Sequence, residues 1–79
     1  MTDLRTLDIG LRCLAGRRRL QITQADLAQR AGVSISTIVR LERGHSLPPL
    51  PMLQRVVGAL DLSLSEVLAD GPRLDGRPA

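Results

Sequence analysis

The chain has 79 residues, contains no phenylalanine, tyrosine or tryptophan, and combines 11 arginines with 8 acidic residues for a net charge of +3. This length is enough for one small domain with an aliphatic core, and a chain of this size often gains stability by pairing with a second copy. The single cysteine, Cys13, excludes an intramolecular disulfide and a zinc site built on cysteines. We expect Cys13 to be a small, buried or half-buried apolar residue in a helix.

The positive charge is concentrated in the first half of the chain. Residues 1–45 contain eight arginines and four acidic residues, whereas residues 46–79 contain three arginines and four acidic residues. A positive potential on one part of a small protein favours a polyanionic partner such as nucleic acid. We therefore look for the functional surface in the first half.

The composition argues against a membrane protein, a metalloprotein and an enzyme. No apolar run approaches the ~20 residues of a membrane span, and no basic segment followed by an apolar one opens the chain. One cysteine, one histidine and scattered acidic residues have no metal-ligand spacing, and no glycine-rich phosphate loop is present. We expect a cytoplasmic protein with no catalytic residue, no metal and no cofactor.

The first predicted helix covers about residues 6–20. Four leucines follow helical spacing, and they are Leu4, Leu7, Leu11 and Leu14. Gly10 and Gly16 each weaken a helix by ~1 kcal/mol relative to alanine, and either glycine can instead mark close helix packing. Three arginines at 17–19 end the helix, where positive charge is favourable.

The stretch that begins at Thr23 has the signals of a short helix with defined ends. Thr23 is suited to the N-cap position, and Asp26, three residues later, approximates a capping box. The helix predicted from these signals covers about residues 24–31. Gly32 follows at a position where helices commonly end in a left-handed conformation.

A second short helix follows after a tight turn. Ser34 is suited to cap a helix of about residues 35–43, and Gly44 ends it. Each helix has one apolar stripe, at Leu27, Ala28 and Ala31 and at Ile38 and Leu41. If the two stripes pack together, the outer face of the second helix holds Ser36, Arg40 and Arg43. Two helices joined in this way form a helix-turn-helix, whose second helix is free to enter a DNA groove.

Two more helices are predicted after a loop at 45–51. Three prolines in this loop exclude regular structure. The fourth helix covers about residues 51–60, and its inward residues are Leu53, Val56, Val57 and Leu60. Ser63 or Ser65 caps a last short helix that contains Val67 and Leu68.

Residues 1–70 are thus predicted to form one all-α domain of five helices. Residues 71–79 are rich in glycine, proline and arginine, and we expect them to be a disordered tail. The end of the fourth helix and the fifth helix hold more apolar surface than one small core requires. We expect a homodimer contact there, at Leu62, Leu64, Val67 and Leu68.

The specific sequence features are TQ at 23–24, LA at 27–28, AGVS at 31–34, Ile38, LERG at 41–44, a proline loop, AL at 59–60 and LSLSEVL at 62–68. Together they resemble the Cro/phage-repressor type of helix-turn-helix, often called the XRE family. The resemblance extends from about Leu11 to Leu68. It implies a compact five-helix, lambda-repressor-like DNA-binding domain.

The resemblance implies five residues on or beside the groove-facing side of the second helix of the motif, and they are Ile35, Ser36, Thr37, Val39 and Arg40. We expect Arg40 to contact a base, because its guanidinium can bond both major-groove acceptors of a guanine. Ser36 and Thr37 can donate to bases or phosphates, and Thr37 is equally suited to be a buried hydroxyl at the helix start.

Five other residues match positions implied to hold the DNA backbone, and they are Arg17, Gln24, Ser34, Arg43 and His45. Gln24 is at the first position of its helix, where free N–H groups and the helix dipole also favour a phosphate. In the family, an arginine at the position of Arg17 often pairs with an acid at the position of Glu42.

Ile35 and Val39 depart from the family pattern, in which this part of the helix often has long polar residues. Both are apolar, and we expect both to be exposed in the free monomer. They suit contact with thymine methyl groups, and they are equally compatible with ordinary exposed aliphatic residues. A protein-binding face that replaces DNA contact is a third and less favoured interpretation.

The sequence therefore predicts a DNA-binding transcriptional regulator, in the first place a homodimeric repressor that binds an inverted-repeat operator in double-stranded DNA. An alternative is the DNA-binding antitoxin or regulatory subunit of a two-component system, with a toxin-like protein bound through its surface or tail. A third hypothesis is a protein-interaction module that uses Ile35 and Val39.

Overall fold

The computed structural model describes residues 4–68 of the chain. These residues form five α-helices: α1 (Leu4–Arg19), α2 (Gln24–Ala31), α3 (Ile35–Glu42), α4 (Leu50–Ala59) and α5 (Leu64–Leu68). The all-α class and the order of the helices confirm the prediction. The ends of α2 agree with it, and the predicted ends of α1, α3 and α4 differ by at most two residues. None of the described helices is long and apolar enough to cross a membrane. The predicted disordered tail, residues 71–79, lies outside the described range.

Capping boxes begin two of the helices. At α2, the Thr23 side chain accepts a hydrogen bond from the Asp26 backbone N–H at 3.0 Å, and the Asp26 carboxylate accepts one from the Thr23 N–H at 3.1 Å. At α5, Ser63 and Glu66 form the same pair of bonds at 3.1 and 2.7 Å. Of the two serines considered for this cap, the structure therefore selects Ser63.

The core is aliphatic, as the composition predicts. All four inward residues predicted for α4 are at most 3% exposed. Cys13 is fully buried as predicted, and its burial, with a smaller effect of the nearby Glu42 charge, raises the pKa of the thiol to about 12. The predicted leucine stripe does not form the buried face of α1, however, because Leu4 and Leu11 are 79% and 49% exposed.

The α1 helix crosses α3 at very short range. A Cβ atom at Gly10 would overlap the backbone carbonyl of Leu41, so only a glycine lets the two backbones approach this closely. Gly16 lies against Leu62 at the other end of α1, where an added Cβ would be 3.1 Å from the Leu62 side chain. Both glycines therefore mark close packing, and the crossing at Gly10 fixes α3 on the domain.

Candidate nucleic-acid interface

The predicted apolar stripes of α2 and α3 are buried. Leu27 and Ala31 of α2 and Ile38 and Leu41 of α3 are 0–3% exposed, and all four belong to one core cluster. The turn between the helices includes Gly32 in the left-handed conformation (φ 71°), as predicted. The burial of one side of α3 leaves its opposite side to solvent.

The solvent side of α3 holds the predicted polar residues. Ser36, Arg40 and Arg43 are all exposed. Since successive residues of an α-helix are rotated by about 100°, positions 36, 40 and 43 fall within about 60° of one another. The structure thus brings these three side chains to one exposed face, next to α2.

Two hydroxyl groups meet at the start of α3. The Ser34 side chain accepts a hydrogen bond from the Thr37 backbone N–H at 3.2 Å, and the Ser34 and Thr37 hydroxyl oxygens are 3.0 Å apart. Ser34 is therefore the N-cap that was predicted. Thr37 is partly buried, which agrees with the interpretation of its hydroxyl as part of the helix start.

Ile35 and Val39 differ in exposure, so the expectation that both are exposed is wrong for Val39. Ile35 is 48% exposed at the first residue of α3, but Val39 is partly buried. On the helix, position 39 is rotated by only about 60° from the buried Glu42, so Val39 borders the core side. Ile35 is the principal exposed apolar residue of this helix.

A buried ion pair connects α1 to α3. Arg17 of α1 donates from Nε to Glu42 Oε2 at 2.7 Å and from Nη2 to Glu42 Oε1 at 3.0 Å. A third donor of Arg17, Nη1, bonds the carbonyl of Ile22 at 2.9 Å. The two charged side chains are 14% and 4% exposed. The pairing of Arg17 with Glu42 that the resemblance implied is thus confirmed.

Gln24 adds the start of α2 to this network. Its Nε2 donates to Glu42 Oε1 at 3.0 Å, which orients the amide at the first residue of α2. A primary amide has two N–H donors, so one donor remains for a second acceptor. The bond to Glu42 was not foreseen, because the two residues are 18 positions apart and give no local sequence signal.

Arg17 and Arg43 differ in their availability for a phosphate. Three N–H groups of Arg17 are bonded within the domain and its side chain is 14% exposed. Arg43 and His45 are exposed just beyond α3. Arg17 as a phosphate contact remains a prediction, but the surface proposed below does not depend on it.

Arg55 is a supporting residue that the sequence reasoning missed. Its Nε donates to the backbone carbonyl of Ala31, the last residue of α2, at 3.0 Å. Positive charge is favourable at this end of a helix. Arg55 thereby ties α4 to the turn of the motif. Within residues 4–68, no group of three or more histidine, cysteine, aspartate and glutamate side chains is arranged to bind a metal.

Comparisons with known proteins identify relatives over most of the chain. The immunity repressor protein of Bacillus phage phi105 is 33% identical over 64 residues, which are 81% of this chain and 44% of the phage protein. The chain thus spans less than half the length of that relative.

Two solved structures have similar folds. The P22 c2 repressor protein in complex with a synthetic operator has a TM-score of 0.74 and 34% identity, covering 77% of this chain and 92% of that chain. The clp gene regulator ClgR of Corynebacterium glutamicum has a TM-score of 0.77 and 28% identity, covering 86% and 87%. The model of the helix-turn-helix family HTH_3 matches residues 15–67, so the chain belongs to this XRE-type helix-turn-helix family.

Proposed function

We propose that this protein is a sequence-specific DNA-binding transcriptional regulator that acts as a homodimeric repressor. The main supporting observation is the position of α3, which is buried along Ile38 and Leu41 and exposes Ser36, Arg40 and Arg43 on its other side. The similar P22 c2 repressor was solved with an operator. Repression follows from occupation of promoter DNA.

Base contacts come from the exposed side of α3. Arg40 bonds a guanine through both major-groove acceptors, and Ser36 contacts a neighbouring base edge. Ile35, 48% exposed, contacts a thymine methyl group, with Val39 and Thr37 at the border of this surface. Arg40 is the principal determinant of sequence preference.

Backbone contacts come from the residues around α3 and from the start of α2. Gln24 offers its remaining amide N–H, and the first N–H groups of α2 lie beside it. Ser34, Arg43 and His45 contact phosphates next to the groove. These contacts set the position of the protein on DNA and have no direct sequence preference.

The operator is an inverted repeat. Two copies related by a two-fold axis place their α3 helices in successive major grooves of one DNA face, with half-site centres ~10 bp apart. The pairing of two copies doubles the number of base contacts, which a single helix of eight residues cannot supply alone.

Binding-site selection from random DNA, followed by titration of two arginine variants, tests the proposal. Arg40→Ala weakens binding to the selected site by about 1–3 kcal/mol and relaxes the preference at one base pair. Arg30→Ala removes the same charge from an exposed position at the end of α2 and serves as the control. Equal losses for the two variants, or no selected sequence, would contradict the assignment of α3.

A further inference from the structure

The carboxylate of Glu42 determines which way the side-chain amide of Gln24 is turned. Gln24 donates from Nε2 to Glu42 Oε1 at 3.0 Å. A primary amide has a donor nitrogen and an acceptor oxygen, whereas an ionised carboxylate can only accept. The reverse orientation of the amide would place two acceptor oxygens against each other. The nitrogen of the Gln24 amide is therefore the atom that faces Glu42.

The Glu42 carboxylate is itself held in one position by Arg17. Arg17 donates from Nε to Oε2 at 2.7 Å and from Nη2 to Oε1 at 3.0 Å. The Glu42 side chain is 4% exposed, so water does not compete for these oxygens. The positive charge of Arg17 also balances the carboxylate, and the pair adds no net negative charge close to the start of α2.

The orientation of the amide fixes the direction of its second N–H group. The two N–H bonds of a primary amide lie in one plane and diverge, so the bond to Glu42 leaves one direction for the other hydrogen. Gln24 is the first residue of α2 and is partly exposed. The capping box uses the backbone N–H groups of Thr23 and Asp26, and those of Gln24 and Ala25 have no partner within the helix. The second amide N–H adds a donor to this helix start.

The bond between Gln24 and Glu42 is more than Glu42 needs for its own burial. The carboxylate already has its counter-charge and two hydrogen bonds from Arg17. Gln24 is partly exposed, so water can satisfy its amide without this bond. The main consequence of the bond is therefore the fixed direction of the Gln24 amide.

We propose that Glu42 is a positioning residue for DNA binding, which holds the Gln24 amide with its second N–H toward a phosphate oxygen of the DNA backbone. This inference rests on the proposed function, and Glu42 itself does not contact DNA. Glu42 is the last residue of α3. The bond to Gln24 thus holds the phosphate contact of α2 in a fixed position relative to the helix that contacts the bases.

A double-mutant cycle on the affinity for the selected operator separates positioning from stability. Gln24→Ala removes a hydrogen bond to a charged group and weakens binding by about 10-fold or more. Glu42→Gln weakens binding similarly. Arg17 can only donate, so the new carbonyl oxygen faces Arg17 and the new NH2 group faces Gln24. The Gln24 amide then turns, and an oxygen lone pair points where its N–H pointed. In the Gln24→Ala background, Glu42→Gln has no further effect.

Gln29→Ala is the matched control for the cycle. It removes the same kind of amide from an exposed position of α2 and keeps the wild-type affinity. Far-UV circular dichroism confirms that each variant is folded during the titration. Losses from Gln24→Ala and Glu42→Gln that add independently overturn the inference, because Glu42 then acts through stability alone.

Two further outcomes of the titration are decisive. A folded Glu42→Gln variant with wild-type affinity overturns the inference and leaves the proposed function intact. If the wild type itself binds no DNA, the proposed function fails and the inference fails with it.

A second variant removes the acceptor without leaving a buried charge, in case Glu42→Gln does not fold. Arg17→Met/Glu42→Met replaces the ion pair by apolar side chains, a change that is often neutral or stabilising in proteins. The Gln24 amide then has no partner that fixes its direction. The variant is expected to bind DNA more weakly than the wild type, but to have no such effect in the Gln24→Ala background. An equal loss in both backgrounds overturns the inference.

Nuclear magnetic resonance of isotope-labelled protein observes the amide directly. The two Nε2 protons of Gln24 have separate signals, and the proton bonded to Glu42 exchanges more slowly with water. Addition of the operator shifts the signal of the other proton. Equal exchange of both protons in the wild type, or no shift of either signal on the operator, contradicts the assignment of Glu42 as a positioning residue.

Discussion

At the scale of single residues, Glu42 connects helices that are far apart in the chain. Its buried carboxylate accepts two hydrogen bonds from Arg17 and one from Gln24, and so joins α1, α2 and α3. The hydrogen bond to Glu42 raises the pKa of Arg17 above its ordinary value, so the guanidinium remains charged. Removal of either partner leaves the other charge buried and unpaired.

Glu42→Ala is therefore expected to lower the free energy of unfolding by about 3–5 kcal/mol, because Arg17 loses its counter-charge in a buried site. Asp8→Ala breaks an ion pair whose side chains are 28% and 49% exposed, and it is expected to cost only about 0–1 kcal/mol. Urea denaturation measures both values. Similar losses for the two variants would show that burial does not determine the strength of the Glu42 pair.

At the scale of the helices, the crossing of α1 and α3 sets the position of the proposed DNA-contacting helix. Gly10 is buried and the Leu41 carbonyl occupies the space of its missing side chain. Gly58 of α4 is exposed, and no described atom lies within 4 Å of an added Cβ. The two glycines are in helices of the same domain but in opposite packing environments.

Gly10→Ala is expected to destabilise the domain by about 3 kcal/mol or more, since the overlap is with backbone and the helices must separate. Gly58→Ala is expected to stabilise it by about 0.4–1 kcal/mol, because alanine loses less conformational entropy on folding. Thermal unfolding of both variants measures the difference. Stabilisation by Gly10→Ala would mean that α1 and α3 are farther apart than described.

The two capping boxes also make the stability of the domain depend on pH. Bonds from the Thr23 and Ser63 backbone N–H groups lower the pKa of Asp26 and of Glu66 below their ordinary values of 3.8 and 4.5. A carboxyl group whose pKa is lower in the folded state stabilises that state above its ordinary pKa, and this contribution disappears as pH falls through the folded-state pKa.

The melting temperature is accordingly expected to fall as the pH decreases below about 5. Asp26→Asn and Glu66→Gln keep the shape of each side chain but remove the titration, so each variant has a shallower decrease than the wild type. Circular dichroism at a series of pH values between 3 and 7 measures the slopes. An unchanged slope in both variants would exclude the capping boxes as its origin.

At the scale of the whole molecule, a buried aliphatic core supports one exposed polar and basic surface. The proposed DNA-contacting surface combines α3 with Arg43, His45 and the start of α2. Its affinity for DNA depends on the counterions that phosphate contacts release.

The affinity for DNA is expected to decrease linearly with the logarithm of salt concentration, with a slope of about −0.9 for each phosphate contact. Arg43→Ala lowers the steepness by about one contact per subunit, and Arg30→Ala leaves it close to that of the wild type. Fluorescence anisotropy in a series of KCl concentrations measures the slopes. Equal slopes for wild type and Arg43→Ala would remove Arg43 from the phosphate contacts.

The helices and their ends were largely predictable from the sequence because their causes are local. Thr23 caps α2 in a capping box with Asp26, three residues away, and the Ser34 side chain caps α3 by accepting from the Thr37 backbone N–H, also three residues away. Gly32 ends α2 in a left-handed conformation (φ 71°). Glycine has no Cβ atom and adopts this conformation at little steric cost, so its position alone predicts the helix end. Periodicity then identified the buried residues of α2, α3 and α4, and the resemblance identified the pair of Arg17 with Glu42.

The tertiary structure decided what depends on residues far apart in the chain. It showed that Gly10 meets Leu41, that Gln24 bonds Glu42, and that Val67 belongs to the core of one copy. Helical periodicity grouped Leu11 with the other leucines of α1, but its side chain is 49% exposed. The physical reason is that hydrophobicity sets the tendency of a residue to be buried, whereas actual burial depends on which other element covers it. The sequence by itself determined the helix-turn-helix, and only the packing decided which apolar residues remain for a partner.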